Sequence, residues 1–253
     1  ENYSLPPDAK IYYRDGNPGW NGIEYLGCYQ VVKLPVGSEI PPPLASNYDF
    51  DHAIILTGEK GQTTGKSARF STEENEPEPG DEFIWWHWTA PKDGMVQFDT
   101  YWSSFDYDTE VVLAVYTGTE FGSLTEIAKK QSYSDSDDGF AMPNKVILEV
   151  EAGQEYHIAV ATGVDSTLGF TVLSWFYVES FGDFVVAFEN NQATIIEYRG
   201  AAAEVDIPAE INGRPVTAIG IAAFAENSAL QKVAFPATVT RIEDGAFFWC
   251  EKL

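Results

Sequence analysis

Runs of alternating apolar and polar residues, rich in aromatic and β-branched side chains, recur about every ten residues as far as Trp175. An alternation with a period of two is the pattern of a half-buried β-strand, and Gly, Asp, Asn and Pro between the runs indicate turns. The clearest runs are Ile84 to Trp88, Met95 to Thr100, Val111 to Thr117, Lys145 to Glu151, Tyr156 to Thr162 and Phe170 to Trp175. This spacing predicts an antiparallel, jelly-roll-like β-sandwich.

Changes in composition divide the chain into three predicted parts. Residues 1–45 contain two strand-like runs, Lys10 to Tyr13 and Ile23 to Leu34, followed by a stiff Pro41-Pro42-Pro43 connector. Residues 46–180 form the predicted β-sandwich domain, and residues 181–253 form a C-terminal part with a different pattern. The N-terminal strands could complete the sandwich, pair with a preceding domain, or pair with a neighbouring copy.

The C-terminal part repeats itself at a shift of 23 residues. Three pairs of apolar positions define the shift: Ile219 with Ile242, Phe224 with Phe247, and Leu230 with Leu253. A fixed period of this length predicts a solenoid, in which each turn buries its apolar residues against the neighbouring turns. We therefore expect three stacked, buried ladders, and we expect the parent protein to continue beyond Leu253.

The residues of this repeat are similar to a known family. Val205-Asp-Ile-Pro, Pro215-Val-Thr-Ala-Ile-Gly and the two Ala-Phe ladders resemble the BspA-type leucine-rich repeats of bacterial surface proteins, over about 188–253. The resemblance implies the first repeats of a leucine-rich-repeat solenoid. It also implies a capping turn over 193–216, with Ile211-Asn-Gly-Arg-Pro-Val as its hairpin.

A second resemblance covers about 47–175. Asn47-Tyr-Asp-Phe-Asp-His-Ala, Trp85-Trp-His-Trp-Thr-Ala-Pro and Asp108-Thr-Glu-Val-Val-Leu-Ala-Val-Tyr-Thr-Gly are similar to β-sandwich domains related to bacterial pre-peptidase C-terminal domains. The resemblance implies a secreted accessory module, of the kind found beside proteases, glycosidases or adhesive regions.

The charge of the chain argues against two classes of partner. A net charge of -24 repels phosphate backbones and anionic lipid surfaces. No apolar run in the sequence approaches the roughly 20 residues that a membrane-spanning helix needs. We therefore expect neither nucleic acid binding nor membrane insertion.

The chain lacks the motifs of common enzymes. Gly61-Gln-Thr-Thr-Gly-Lys-Ser is one residue short of a phosphate-binding loop, and a polar hairpin is the favoured interpretation. No Gly-x-Ser-x-Gly elbow occurs, and His87 and His157 lie inside strand patterns, where hydrogen-bonded sheet histidines are expected. We predict no catalytic residues in this chain, whatever the activity of the full-length parent.

Two candidate sites emerge from the loops. Asp135, Asp137 and Asp138 lie in an acidic turn that can converge on calcium, although a solvated acidic loop is the alternative. Tyr101, Trp102 and Tyr107 follow a strand and form a candidate platform for a sugar ring, against ordinary packing at a sheet edge. Cys250 is expected to be a structural thiol, with a disulfide to Cys28 as the alternative.

These observations lead to one expected function and two alternatives. The first is a non-catalytic binding or adhesion module of a secreted or cell-surface protein, contacting glycans or proteins. The second is an accessory portion of a large secreted hydrolase. The third is a structural subunit of a surface assembly, in which residues 1–45 join neighbouring copies by β-strand exchange.

Overall fold

The structure is a computed structural model that describes residues 11–14, 25–26, 29–34, 50–65, 82–101, 103, 110–133, 144–162 and 171–253. Its strands are β1 (Ile11–Arg14), β2 (Tyr25–Leu26), β3 (Tyr29–Leu34), β4 (Ile54–Leu56), β5 (Lys60–Gly65), β6 (Glu82–Thr89), β7 (Gly94–Asp99), β8 (Glu110–Thr117), β9 (Thr125–Tyr133), β10 (Lys145–Val150), β11 (Glu155–Thr162), β12 (Thr171–Phe181), β13 (Phe184–Glu189), β14 (Gln192–Tyr198), β15 (Glu204–Asp206), β16 (Glu210–Ile211), β17 (Arg214–Ile219), β18 (Lys232–Ala234) and β19 (Arg241–Ile242). Two short 3-10 helices, Phe50–His52 and Phe121–Ser123, join them. The described residues contain no α-helix, so the chain is mostly β.

Two sheets face each other in the region of the predicted sandwich. One has five strands in the order β4-β6-β11-β8-β9, and the other begins β10-β7-β12, with β5 also paired to β12. All six of the clearest predicted runs form strands. Most strand ends lie within two residues of the predicted ends, although β12 extends six residues beyond its predicted end. The expected antiparallel pairing is wrong at one edge, because β4 runs parallel to β6.

The tryptophans of β6 divide between the two faces of their sheet, as alternation predicts. Trp86 and Trp88 are buried between the sheets with Phe98 and Leu113. Trp85 lies on the opposite face, against Phe50 and other apolar side chains. The five-stranded sheet therefore buries apolar residues on both of its faces.

The predicted polar hairpin at Gly61 is wrong for residues 61–65, which belong to β5; Lys66 and Ser67 lie outside the described residues. Glycine is required here because aromatic rings lie directly against the backbone. A Cβ atom at Gly65 would lie 2.4 Å from Trp86 Cζ2, and one at Gly61 would lie 2.4 Å from Trp175. These glycines therefore admit aromatic rings into the core.

β12 links the sandwich to the C-terminal part without a loop. Its residues pair with β7 and β5, and its last three residues pair with β13. Through β13, β14, β17 and β16 the same sheet continues to nine strands, with β19 paired to β17. The predicted division at residue 180 therefore lies within a hydrogen-bonded hairpin.

Two successive turns of the C-terminal part contact each other at the 23-residue shift. Ile219 pairs with Ile242 in the parallel β17–β19 register, and the Phe224 and Phe247 rings stack with centroids 5.0 Å apart. The backbone repeats as well, because φ is positive at Glu226 and again at Trp249. The register predicted from the sequence is confirmed at these positions.

Burial of the second turn differs from the prediction. Ile219, Phe224 and Leu230 are buried, whereas Ile242 is 52% and Leu253 is 53% exposed. Ile242 and Phe247 contact the turn before them, and no further turn is described on their other side. The expectation of fully buried ladders is therefore wrong for Ile242 and Leu253.

The predicted hairpin at Ile211 is confirmed. β16 and β17 pair antiparallel through Ile211 and Arg214, and the two residues between them, Asn212 and Gly213, have φ values of 50° and 72°. Two successive positive φ values are the requirement of a tight type I′ turn, which Asn-Gly satisfies at low steric cost.

Cys250 is a free thiol, as the structural interpretation of this residue expected. Its Sγ donates a hydrogen bond to the carbonyl of Phe224 at 3.1 Å, and burial raises its pKa.

The N-terminal strands β1 to β3 form a three-stranded sheet of their own, with β1 parallel to β3. Strand exchange through residues 1–45 stays a prediction.

Candidate functional site

A row of four polar residues crosses the face of the large sheet that points away from the sandwich core. Strand register places Lys145 opposite Asp99, Asp99 opposite Ser174, and Ser174 opposite Gln62. Their neighbours in sequence, including Phe98, Val146 and Trp175, point into the core. The alternation of side chains thus gathers residues from four strands into one line.

Asp99 is the centre of a buried hydrogen-bond network. Its carboxylate accepts from Gln97 Nε2 at 2.9 Å and from the backbone N–H of Tyr101 at 3.3 Å. Asp99 and Gln97 are only 7% and 6% exposed. Gln97 Oε1 has no hydrogen-bond partner among the described residues. A buried acceptor without a protein partner is uncommon in folded proteins.

Lys145 adds a partly buried ammonium to the same row. Its Nζ donates to the carbonyl of Ile196 at 3.1 Å. Burial lowers the pKa of Lys145, and nearby Glu197 and Asp99 oppose that shift. Burial raises the pKa of Asp99, against the hydrogen bond from Gln97. Two desolvated groups of opposite charge therefore lie beside each other at the end of the sandwich.

A cavity of about 220 Å³, here called the junction pocket, is lined by Gln97, Asp99, Lys145 and Ser174. Sandwich residues Gln97, Asp99, Tyr101 and Lys145 face Ile221 and Glu243 from the C-terminal part across it. A larger cleft of about 710 Å³, here called the junction cleft, runs beside it along β12 and β13. The two cavities have Ser174, Phe176, Thr194 and Ile196 in common, so they adjoin.

The floor of the junction cleft is apolar and its rim is charged. Phe176, Val178, Ala187 and Ile196 form part of one apolar cluster on this face. Ion pairs lie at the rim, between Lys60 and Glu189 and, at 2.5 Å, between Lys92 and Glu59. Because these pairs are exposed, they contribute little to stability. The Lys92 ammonium also lies 4.5 Å from the centroid of the Tyr177 ring.

The structure describes one of the three predicted platform residues. Tyr101 lines the junction pocket and donates from Oη to Asp244 at 2.7 Å; burial and this bond raise its pKa. Trp102 and Tyr107 lie outside the described residues, and so do Asp135, Asp137 and Asp138 of the predicted calcium turn. Calcium binding there stays a prediction. Within the described ranges, no group of three or more potential metal-ligating side chains occurs.

The two strand histidines form a pair on the outer face of the five-stranded sheet. His87 and His157 lie opposite each other on β6 and β11, with ring centroids 4.5 Å apart. His157 Nε2 donates to the carbonyl of Gly118 at 2.8 Å, as expected for a sheet histidine. The Phe50 ring contacts both imidazoles. Burial and the adjacent His157 lower the pKa of His87, while Glu155 and Asp51 oppose that shift.

Stability is expected to fall as the pH decreases below about 6.5, the usual pKa of histidine. The unfolded chain binds a proton at His87 more readily than the folded chain does, so acid favours unfolding. Urea unfolding followed by circular dichroism at pH 5 to 8 should give a smaller pH dependence for His87→Phe than for the unsubstituted protein. Equal slopes for the two proteins would contradict this role of His87.

Sequence analysis missed the central residues of the junction pocket. Gln97 and Asp99 lie within the alternation of β7 and occupy the same face as Met95, so they resembled ordinary solvent-facing strand residues. The sequence does contain a weak signal of this site, because Gln97 and Asp99 are two polar residues in an otherwise apolar strand, and polar residues that face a second layer are unusual. The C-terminal part, which supplies that layer, could not be placed from sequence.

No protein-family model and no curated protein matches the chain. Among solved structures, a leucine-rich repeat protein of T. pallidum aligns at 28% identity over 30% of this chain and 36% of that protein, with a TM-score of 0.29. CorA, a surface-associated copper-binding protein of Methylomicrobium album BG8, aligns at 8% identity over 52% of this chain and 98% of that protein, with a TM-score of 0.31. Neither similarity is close enough to carry an argument about this fold.

No helix in the described residues is both long enough and apolar enough to cross a lipid bilayer.

Proposed function

We propose that this chain is a non-catalytic binding module of a secreted or cell-surface protein, and that it holds an extracellular glycan or protein in the junction cleft. The observation that carries the proposal is the cleft itself, which measures about 710 Å³ and adjoins a buried polar pocket. Concave sites with a mostly apolar lining and a few converging polar groups are the usual form of binding sites.

The position of the cleft also supports a binding role. Its floor comes from β12, β13 and β14, which belong to one continuous sheet. Side chains on regular, hydrogen-bonded strands are held in fixed positions, so little order has to be gained when a ligand binds. The aromatic ring of Phe176 and the ring of Phe188 supply apolar area.

We further propose that residues 188–253 begin a BspA-type leucine-rich-repeat solenoid and that residues 47–175 are a pre-peptidase C-terminal-like domain. The parallel pairing of Ile219 with Ile242 supports the first assignment. The stacking of Phe224 on Phe247 supports it independently. The two facing sheets and their buried tryptophans are compatible with the second.

Filling the cleft tests the binding role directly. Ala187 lies on the cleft floor, so Ala187→Trp should reduce binding to a glycan array or to immobilised extracellular-matrix proteins by at least tenfold. Ala152→Trp places the same bulk on an exposed turn between β10 and β11 and should bind normally. Melting temperatures of both variants exclude misfolding as the cause. If a ligand binds the unsubstituted protein and Ala187→Trp equally, its site lies elsewhere.

A further inference from the structure

We propose that the junction pocket is a subsite for a single neutral sugar ring, whose hydroxyl groups bridge Lys145 on one side and Asp99 with Gln97 on the other. This inference rests on the proposed binding function and narrows it to one ligand class and one set of contacts. It assigns the recognition of the sugar to the Gln97, Asp99 and Lys145 side chains. Tyr101, one of the predicted platform residues, also lines the pocket.

Gln97 has a buried acceptor atom without a protein partner among the described residues. Its Nε2 donates to the Asp99 carboxylate at 2.9 Å. That contact fixes the orientation of the amide, because a flipped side chain would place two oxygens against each other. Gln97 Oε1 is consequently the atom left buried without a partner among the described residues, and Gln97 lines the pocket. Such an atom is satisfied by an O–H or N–H donor, which a bound water or a ligand hydroxyl can supply.

Groups of both charges line the pocket. A cationic ligand would meet the Asp99 carboxylate but would be repelled by the Lys145 ammonium. An anionic ligand would meet Lys145 but would face Asp99 and Glu243. A hydroxyl group can both donate and accept, so neighbouring hydroxyls of one neutral ring can satisfy all of these side chains together.

Part of the pocket lining is apolar. Phe176, Ile196 and Ile221 line it together with the polar groups. A pyranose ring has the same two-sided character, since its hydroxyls project around a core of C–H groups. Aromatic and aliphatic side chains can bury those C–H groups while charged side chains bind the hydroxyls.

The junction pocket has room for one sugar ring, and its connection to the junction cleft leaves room for a longer oligosaccharide. The volume of about 220 Å³ is smaller than the roughly 300 to 1,000 Å³ of sites for drug-sized ligands. Because the pocket adjoins the junction cleft, further sugar units can extend along the residues that both cavities share. The pocket would then hold one unit of an oligosaccharide that continues into the cleft.

The test uses the whole chain and a panel of free monosaccharides: neutral hexoses, N-acetylhexosamines and uronic acids, with lysine amide and arginine amide as cationic probes. Binding is measured by calorimetry or by ligand-observed NMR. We expect at least one neutral sugar to bind, and we expect Asp99→Asn and Lys145→Met each to weaken that binding by at least tenfold. Asp206→Asn, an exposed aspartate on β15, is the matched control and should bind as the unsubstituted protein does.

Melting temperatures of Asp99→Asn and Lys145→Met show whether a loss of binding reflects unfolding, and a folded Gln97→Met replaces either variant that does not fold. Three results would overturn the subsite: binding of the cationic probes alone, sugar binding that survives all pocket substitutions, or no binding of any monosaccharide. If array binding is still blocked by Ala187→Trp after such a result, the binding function stands and the sugar subsite fails. If no array ligand binds at all, both proposals fail.

Discussion

Replacing Phe224 with alanine is expected to lower the free energy of unfolding of the C-terminal part by about 3 to 5 kcal/mol, as is typical of large-to-small changes in a core. The Phe224 ring is 1% exposed and lies in a stack between Tyr198 and Phe247, with centroid separations of 5.1 and 5.0 Å. Its removal leaves a cavity that both neighbouring rings line. Urea unfolding followed by circular dichroism measures the change.

The matched control for this substitution is Trp249→Ala. Trp249 belongs to the following turn and is 55% exposed, so its truncation should change stability by less than about 1 kcal/mol. Comparable losses for the two variants would show that the ring stack does not organise this part of the chain.

Replacing Trp86 with alanine is expected to destabilise the sandwich by about 3 to 5 kcal/mol. Trp86 is fully buried between the two sheets, and its ring also lies over the backbone of Gly65. The substitution therefore removes packing from both sheets at once. Chemical unfolding again gives the magnitude, and the loss of near-ultraviolet circular dichroism reports on the aromatic core.

Ile55→Ala is the comparison for Trp86→Ala. Ile55 lies on β4, beside the same strand β6, but is 67% exposed. We expect a change of less than about 0.5 kcal/mol, in keeping with surface substitutions. A large effect at Ile55 would indicate that another surface covers β4 in solution.

Much of the fold is predictable because it depends on local patterns. Alternation within Trp85-Trp86-His87-Trp88 determines which ring faces which side, and the structure confirms that assignment. The 23-residue shift predicts which residues of successive turns meet, as Phe224 and Phe247 show. Both signals survive in a single sequence because the contacts they predict repeat at fixed spacings.

Features that depend on which distant strands meet are not predictable in this way. β5 has the composition of a polar turn, and its role is clear only once the Trp86 and Trp175 rings are seen against its glycines. The candidate site has the same origin. Lys145, Asp99 and Ser174 come from three separate strands, and pairing register alone brings them into one row.

The strand β12 has a mechanical consequence for the molecule. Because its first residues pair within the sandwich and its last residues pair with β13, both parts of the chain belong to one hydrogen-bonded sheet. A force applied to the C-terminal part is transmitted to the sandwich through rows of backbone hydrogen bonds and not through a flexible linker. The strands that form the floor of the cleft therefore keep their spacing when the two parts are pulled apart.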